Sequence, residues 1–479
     1  MSGLSNILYV ALLIFVVVMS FNVIIFVHEL GHFLAAKWRG LQIDRFQIWF
    51  GKPIWKKTIK GVQYGLGWIP AGGFVALPQM APMESIEGKN SDGKPLAPIK
   101  PIDKIIVAFA GPLFSLLLAL AAAGIVSKIG KPTELIPSTE IGEVAKDSPA
   151  ERAGLQVGDK VLQVNGEDVS VFQGQLDGVF ERIVLSKGDE IEFKVQRPGV
   201  AEPLILSSKF ELAPTRWYER RALREVGIQA VNDYVAVGHV MEGSPAEQAG
   251  LKRGDRLVKF NETGIRSSTQ FLALIKEAGE RPFSLEYLRL AEDKAEKADS
   301  EGTLHTVTLQ AKVPLSPAGK PPMIGVGPVD IPLITSELRS VPAWTQVKDS
   351  VNMMWVTLNR LLSPKSSIGL DHLSGPVGIA KVQYQMLQMD YPIHRLLAFF
   401  VLFNVNLAVL NMLPLPVLDG GHIVLATMEA ITRRTPGTQI MEWVQTVFAL
   451  ALISVMLYVT SKDLFGDSRS MEKIVFEQK

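Results

Sequence analysis

The stretch "FNVIIFVHELGHFLAAKW" (Phe21–Trp38) puts two histidines and a glutamate, His28, Glu29 and His32, inside a run that is otherwise apolar from Leu4 to about Ala36. That run is longer than the roughly 20 apolar residues needed to cross a bilayer. Ionisable side chains at such depth are costly, so their presence asks for a reason. A cleaved signal peptide does not account for the run: there is no basic n-region, the apolar stretch is too long, and no small-residue cleavage site follows. Three further runs, at about Ile105–Val126, Leu396–Leu415 and Ile440–Val459, complete a set of four spans.

Basic residues orient them. Lys37, Arg39, Arg45, Lys52, Lys56, Lys57, Lys60, Lys100 and Lys104 lie between spans one and two, and Arg433 and Arg434 between spans three and four. By the positive-inside rule both connections are cytoplasmic, which leaves both termini and the long middle region outside. The 479 residues carry a net charge of +1 and no cysteine. Near-neutrality argues against a nucleic-acid binder. The lack of cysteine excludes disulfides, thiol catalysis and cysteine-held zinc, so any metal must sit on His, Asp or Glu.

The middle region repeats itself. "SPAERAGLQVGDKVLQVNG" (Ser148–Gly166) returns as "SPAEQAGLKRGDRLVKFNE" (Ser244–Glu262), a whole supersecondary unit. Ser148 and Ser244 suit an N-cap and Pro149 and Pro245 the first helical position. Gly154 and Gly250 suit the helix end, and Gly158-Asp159 and Gly254-Asp255 a turn into a strand. The pattern resembles the PDZ domains attached to bacterial envelope proteases, which implies two such domains at 129–220 and 221–315. These would serve as peptide binders or as spacers. "REVGIQ" (Arg224–Gln229) is expected to be the peptide-end loop of the second. Residues 316–395 read as an amphipathic helix, with Val351, Met354 and Leu358 on its apolar face, and a connector.

His28 and His32 are one helical turn apart and share a face, with Glu29 beside the first. H-E-x-x-H on a helix is the arrangement in which two imidazoles bind Zn²⁺ and the glutamate acts as base. Zinc then needs a third protein ligand. Span three, "FNVNLAVLNMLPLPVLDGGH" (Phe403–His422), has one carboxylate in or near it, Asp419. Leu4–His28 and Leu396–Asp419 are each about 35 Å of helix at about 1.5 Å per residue, so the two sets of groups reach similar depths near the cytoplasmic side. Pro414 and Pro416 must break the helix, Gly420 and Gly421 are expected to end it, and Asn406 and Asn411 bring amides into an apolar setting. Two rival readings stand beside a hydrolase. One is a PDZ-bearing scaffold with a degenerate site. The other is a metal transporter using His28, His32 and Asp419 as a relay, against which count the small number of spans and an extramembrane repeat.

HELGH, "NMLPLPVLDGG", "AGPLFSLLLAL" (Ala110–Leu120) and "SGPVGIAK" (Ser374–Lys381) together resemble the site-2 protease family of intramembrane zinc metalloproteases over essentially the whole chain. The resemblance implies His28, His32 and Asp419 as zinc ligands, Glu29 as catalytic base, and Asn406, Asn411, Pro414 and Pro416 as substrate-handling residues. It also implies single-span substrates of the anti-sigma-factor type, remnant signal peptides besides, and residence in the inner membrane of a Gram-negative bacterium. One departure is visible: the family's second span reads AGP, two residues, then Asn, and here Ser115 stands in that place.

"RFQIWFGKPIWKKTIKGVQYGLGWIPAGGFVAL" (Arg45–Leu77) alternates around a Lys-Gly turn and predicts a β-hairpin whose edge can pair with unwound substrate. The expected whole is a mostly α-helical four-span membrane protein with a membrane-associated β-hairpin and two extramembrane α+β PDZ domains. Its order is span one (1–38), hairpin and loop (39–100), span two (101–128), the PDZ pair, the connector, span three (396–422), a cytoplasmic loop (423–439), and span four with an outer tail (440–479).

Overall fold

The computed structural model describes residues 3–80, 99–289, 302–312, 323–433 and 438–466. The distal part of the 39–100 loop, part of the 423–439 loop and the tail beyond 466 lie outside them. Among the described residues four helices are long and apolar enough to cross a membrane: Ile7–Arg39, Pro101–Ile129, Pro392–Asn411 and Trp443–Phe465. Outside the repeated stretches the described α-helices are α1 (Gly3–Arg39), α2 (Pro101–Ile129), α3 (Ala343–Leu361), α4 (Pro376–Met386), α5 (Pro392–Asn411), α6 (Asp419–Thr432) and α7 (Thr438–Phe465).

Between α1 and α2 lies an antiparallel hairpin, β1 (Arg45–Ile59) and β2 (Val62–Ala76). It is folded back on itself. Arg45–Ile48 pairs on one side with Gln63–Leu66 and on the other with Gly73–Ala76, while Trp55–Thr58 pairs with the far side of Gln63–Leu66. Trp49 and Gly51, both at positive φ, carry the bend in β1. Gln47 Nε2 holds it by donating to the Trp49 and Gly51 carbonyls at 3.0 and 2.9 Å, and the Trp49 indole donates to Asn22 of α1. The hairpin packs on the C-terminal end of α1 and the N-terminal end of α2 through Phe33, Phe46, Ile43, Val107 and Ala110. Its outermost segment, Gly73–Ala76, runs beside the HELGH turn of α1, and among the described residues no strand pairs with its other edge.

The two similar stretches of the middle region fold alike. Ser148 Oγ accepts from Glu151 N and Ser244 Oγ from Glu247 N, each at 3.2 Å, with proline first in each helix. Asp159 and Asp255 are buried against two-pronged Arg197 and Arg289. The boundary expected at 220/221 is displaced. Ile228–Ala230 pairs with Ile141–Val144, so it and "REVGIQ" belong to the first unit, not the second. In the same way Val326–Pro332 pairs with Asn232–Val240 and belongs to the second unit, beyond the expected end at 315. Each unit is closed by a strand that lies late in the chain, a long-range pairing that local pattern does not reveal.

Two other expectations are corrected. Span three does not run as one helix to Asp419: α5 stops at Asn411, Met412–Leu418 form an irregular turn, and a new helix starts at Asp419. The proline pair lacks the donors that would continue the helix. Gly420 and Gly421 therefore open α6 instead of ending α5. A Cβ at either would strike the carbonyls of Met412, Leu413 or Leu415, so only glycine lets the turn fold over the start of α6. In α3 the buried face is Gln346, Val347 and Ser350, whereas Val351 is exposed. The reason is its partner: Val347 packs against Ala119, Ala122 and Ala123 of α2 and Val401 and Val405 of α5.

Candidate active site

The C-terminal halves of α1 and α5, the N-terminal half of α2, the start of α6 and the edge of the hairpin line a cavity of about 700 Å³. Its wall includes His28, Glu29, His32, Gly73, Val75 and Asn411, together with Asp419 and His422. His28 Nε2 lies 3.3 Å from Asp419 Oδ2, and His32 Nε2 3.5 Å from Asp419 Oδ1. The two Nε2 atoms are 3.3 Å apart. All three residues offer ligand atoms within 4.8 Å of one another, and among the described residues no other such group of three occurs.

The hydrogen bonds behind the rings define what this cluster wants. His32 Nδ1 lies 2.8 Å from the Val107 carbonyl, which can only accept, so the His32 proton belongs on Nδ1 and the Nε2 lone pair faces the cavity. His28 Nδ1 is 3.0 Å from Ser115 Oγ, and its Nε2 faces the same point, with the Asn411 amide 3.3 Å away. Asp419 Oδ2 is buried without a hydrogen-bond donor. The His32 lone pair, His28 Nε2 and the Asp419 carboxylate converge on one point and form a donor set for a cation. Two nitrogens and an oxygen suit zinc with one position open for water.

Glu29 is one residue on from His28, and the backbone amide of Val75, on the hairpin edge, donates to its carboxylate. Of the residues the sequence singled out, His28, Glu29, His32, Asn411 and Asp419 come together here. Asn406, Pro414 and Pro416 are not part of the cavity wall: Asn406 has a buried oxygen without a partner, and the prolines sit in the turn before α6. The Gln445 amide of α7 pins that turn by donating to the Pro416 carbonyl at 3.2 Å. Ser115, Val107, Gly111, Asn22 and His422 are site or supporting residues to which the sequence alone assigns no role. Only Ser115 and the "AGP" containing Gly111 carry a signal, as a motif without an assigned job.

Known proteins are similar to this chain over most of its length. Residues 15–455 match the model of peptidase family M50. A protein named as a zinc metalloprotease in Neisseria meningitidis serogroup A is 30% identical over 91% of this chain and 95% of its own length. The protease RseP of Yersinia pestis is 26% identical over 92% of this chain and 95% of its own, and the regulator of sigma-E protease RseP of Escherichia coli K12 25% over the same shares. The chain therefore belongs to peptidase family M50, the site-2 proteases, and is a zinc metalloendopeptidase of the membrane.

Proposed function

We propose that the chain cuts a peptide bond within a transmembrane helix of a pre-trimmed, single-span protein, releasing a fragment on the cytoplasmic side. His28, His32 and Asp419 hold the zinc and Glu29 is the general base. The observation that carries this reading is the convergence of His28, His32 and Asp419 on one point, beside a glutamate, in a cavity reached by a strand edge that is unpaired among the described residues.

Zinc held by His28, His32 and Asp419 would supply Lewis acidity and lower the pKa of a bound water toward about 7. Glu29 takes the proton from the attacking water and returns it to the leaving nitrogen, a role worth about 10²–10⁴ in rate. Asn411, whose amide faces the cavity, steadies the carbonyl under attack. The substrate helix must unwind to be cut, and its freed backbone groups need partners in a medium without water. The edge Gly73–Ala76 offers them. Val75 directs its amide toward α1, so Gly73, two residues earlier, turns its own amide and carbonyl the same way. Pro414 and Pro416 handle substrate indirectly, by shaping the break that presents Asp419.

The excess of Lys and Arg around the hairpin argues for a cytoplasmic hairpin, outside termini and outside repeat units, with the site toward the cytoplasmic face of a bacterial inner membrane. The repeat units then act as PDZ-type filters that admit substrates only after an outer domain has been removed. Relatives named as regulators of sigma E favour an anti-sigma factor as substrate, with remnant signal peptides as a second class.

Glu29→Gln is the decisive variant, assayed for bound zinc and for cleavage of a model transmembrane peptide. Zinc retained with cleavage reduced at least about 100-fold is expected. Cleavage at the parental rate removes Glu29 from the mechanism, and absence of zinc from the parent chain removes the ligand set.

A further inference from the structure

We infer that Ser115 is a positioning residue that fixes the tautomer of His28, and that α2 serves as the template orienting both metal-binding imidazoles. This rests on the ligand reading above and goes beyond it.

Val107, Gly111 and Ser115 are spaced by four and so form one stripe along α2. His28 and His32 form the facing stripe on the antiparallel α1. Val107 takes the Nδ1 of His32, and Ser115 meets the Nδ1 of His28. Gly111, midway, has no side chain because a Cβ there would overlap the His32 ring. The "AGPLFS" stretch (Ala110–Ser115) is thus one device, with a gap for one ring and a hydrogen-bond partner for the other.

Ser115 is fully buried, and among the described residues His28 is its only hydrogen-bond partner. That is not how this chain usually treats hydroxyls in helices. Ser350, Thr357, Thr427, Thr432 and Ser454 each donate to the carbonyl four residues back in their own helix. Ser115 turns to another helix instead. A hydroxyl can donate or accept at Nδ1; with a cation at Nε2 the imidazole proton must sit on Nδ1, and Ser115 Oγ is the acceptor placed to take it. The partner of the second ring nitrogen decides which nitrogen can ligate. Without Ser115, the His28 Nδ1 proton has no acceptor in a buried site, and the proton shift that relieves it would block Nε2.

The test measures zinc affinity by competition with a chelator in the full-length, detergent-solubilised chain, for the parent, Ser115→Ala, Ser115→Asn and His28→Ala, with thermal unfolding of the zinc-free forms. Ser115→Ala should weaken zinc binding by about 10–100-fold, the usual cost of losing such an outer partner. Its zinc-free unfolding midpoint should stay close to the parent's. Ser115→Asn, whose amide oxygen is again an acceptor, should recover most of the affinity. Parental affinity in Ser115→Ala overturns the inference, as does an equal loss in the Ala and Asn variants. The two readings fail separately: zinc lost in His28→Ala but not in Ser115→Ala overturns only the role of Ser115, whereas zinc kept in His28→Ala overturns both.

Discussion

His28 Nε2 and Asp419 Oδ2 lie 3.3 Å apart although their residues stand at opposite ends of the chain. The contact exists because α5 breaks after Asn411 and α6 restarts at Asp419, aiming the first side chain of a new helix at the HELGH turn. Asp419→Asn tests what the contact is for. The amide keeps the shape but loses the charge and most of the ligand strength, so bound zinc should fall to a small fraction of the parental content. Helical content, read by circular dichroism, should be unchanged. A full zinc complement in the variant would mean that His28 and His32 find their third partner elsewhere.

Gly111 and Gly124 both lie in α2 and give a matched pair. A Cβ on Gly111 would overlap His32 Nε2, while one on Gly124 meets nothing within 4 Å. Gly111→Ala must push the His32 ring out of line or part α1 from α2. Zinc affinity should drop by at least tenfold, in the range seen when metal ligands lose their orientation. Gly124→Ala should bind zinc as the parent does, and it gains a little helix stability from the better helix former. Equal zinc affinities in the two variants would show that the close approach of α2 is not needed.

Much of the site is legible in the amino-acid sequence. HELGH stands out because a period of four on an apolar helix places two imidazoles on one face. Asp419 stands out because it is the one carboxylate within 396–422, and the Lys60-Gly61 turn between alternating segments marks the hairpin. The features that stay hidden share a cause. Ile228–Ala230 joins Ile141–Val144, Ser115 meets His28, and Val347 meets Ala119 across long sequence separations. Periodicity and capping rules act within a few residues of one another and say nothing of such meetings. Gly420 and Gly421 mislead for a related reason: a glycine pair after prolines reads as a helix end, and only the fold reveals carbonyls packed where their side chains would be.

"SGPVGIAK" acquires a purpose from Asp463 of α7, which is fully buried. Its carboxylate accepts from the Gly378 amide at 2.8 Å and pairs with Arg220 at 2.6 Å, and a Cβ at Gly375 or Gly378 would crowd it. Next to it the Lys462 ammonium donates to the carbonyls of Trp217 and Glu219 at 2.7 and 2.9 Å. This cluster ties the last span to α4 and to Trp217–Arg220, the segment that precedes the closing strand of the first repeat unit. Asp463→Ala leaves the half-buried Arg220 cation and the Gly378 amide without their carboxylate and should destabilise the chain by about 1–3 kcal/mol. The loss is read from thermal unfolding in detergent. Adding Arg220→Ala should cost little more, since the two act as a pair. Full additivity would mean that they stabilise the fold independently.

The hairpin edge yields the sharpest test of substrate handling, because the chain has no cysteine of its own to confuse a cross-linking experiment. Single cysteines placed in turn at positions 72–76 are combined with a substrate carrying one cysteine near the bond to be cut. Side chains of a strand alternate between faces. If substrate adds as a neighbouring strand to Gly73–Ala76, disulfide yield against a fixed substrate position should rise and fall with a period of two. Moving the substrate cysteine by one residue should invert the pattern. The Glu29→Gln form keeps substrate uncut during the measurement. Yields that are uniform along the edge, or that change smoothly with distance from Glu29, would exclude strand pairing and leave Gly73–Ala76 as a wall of the cavity only.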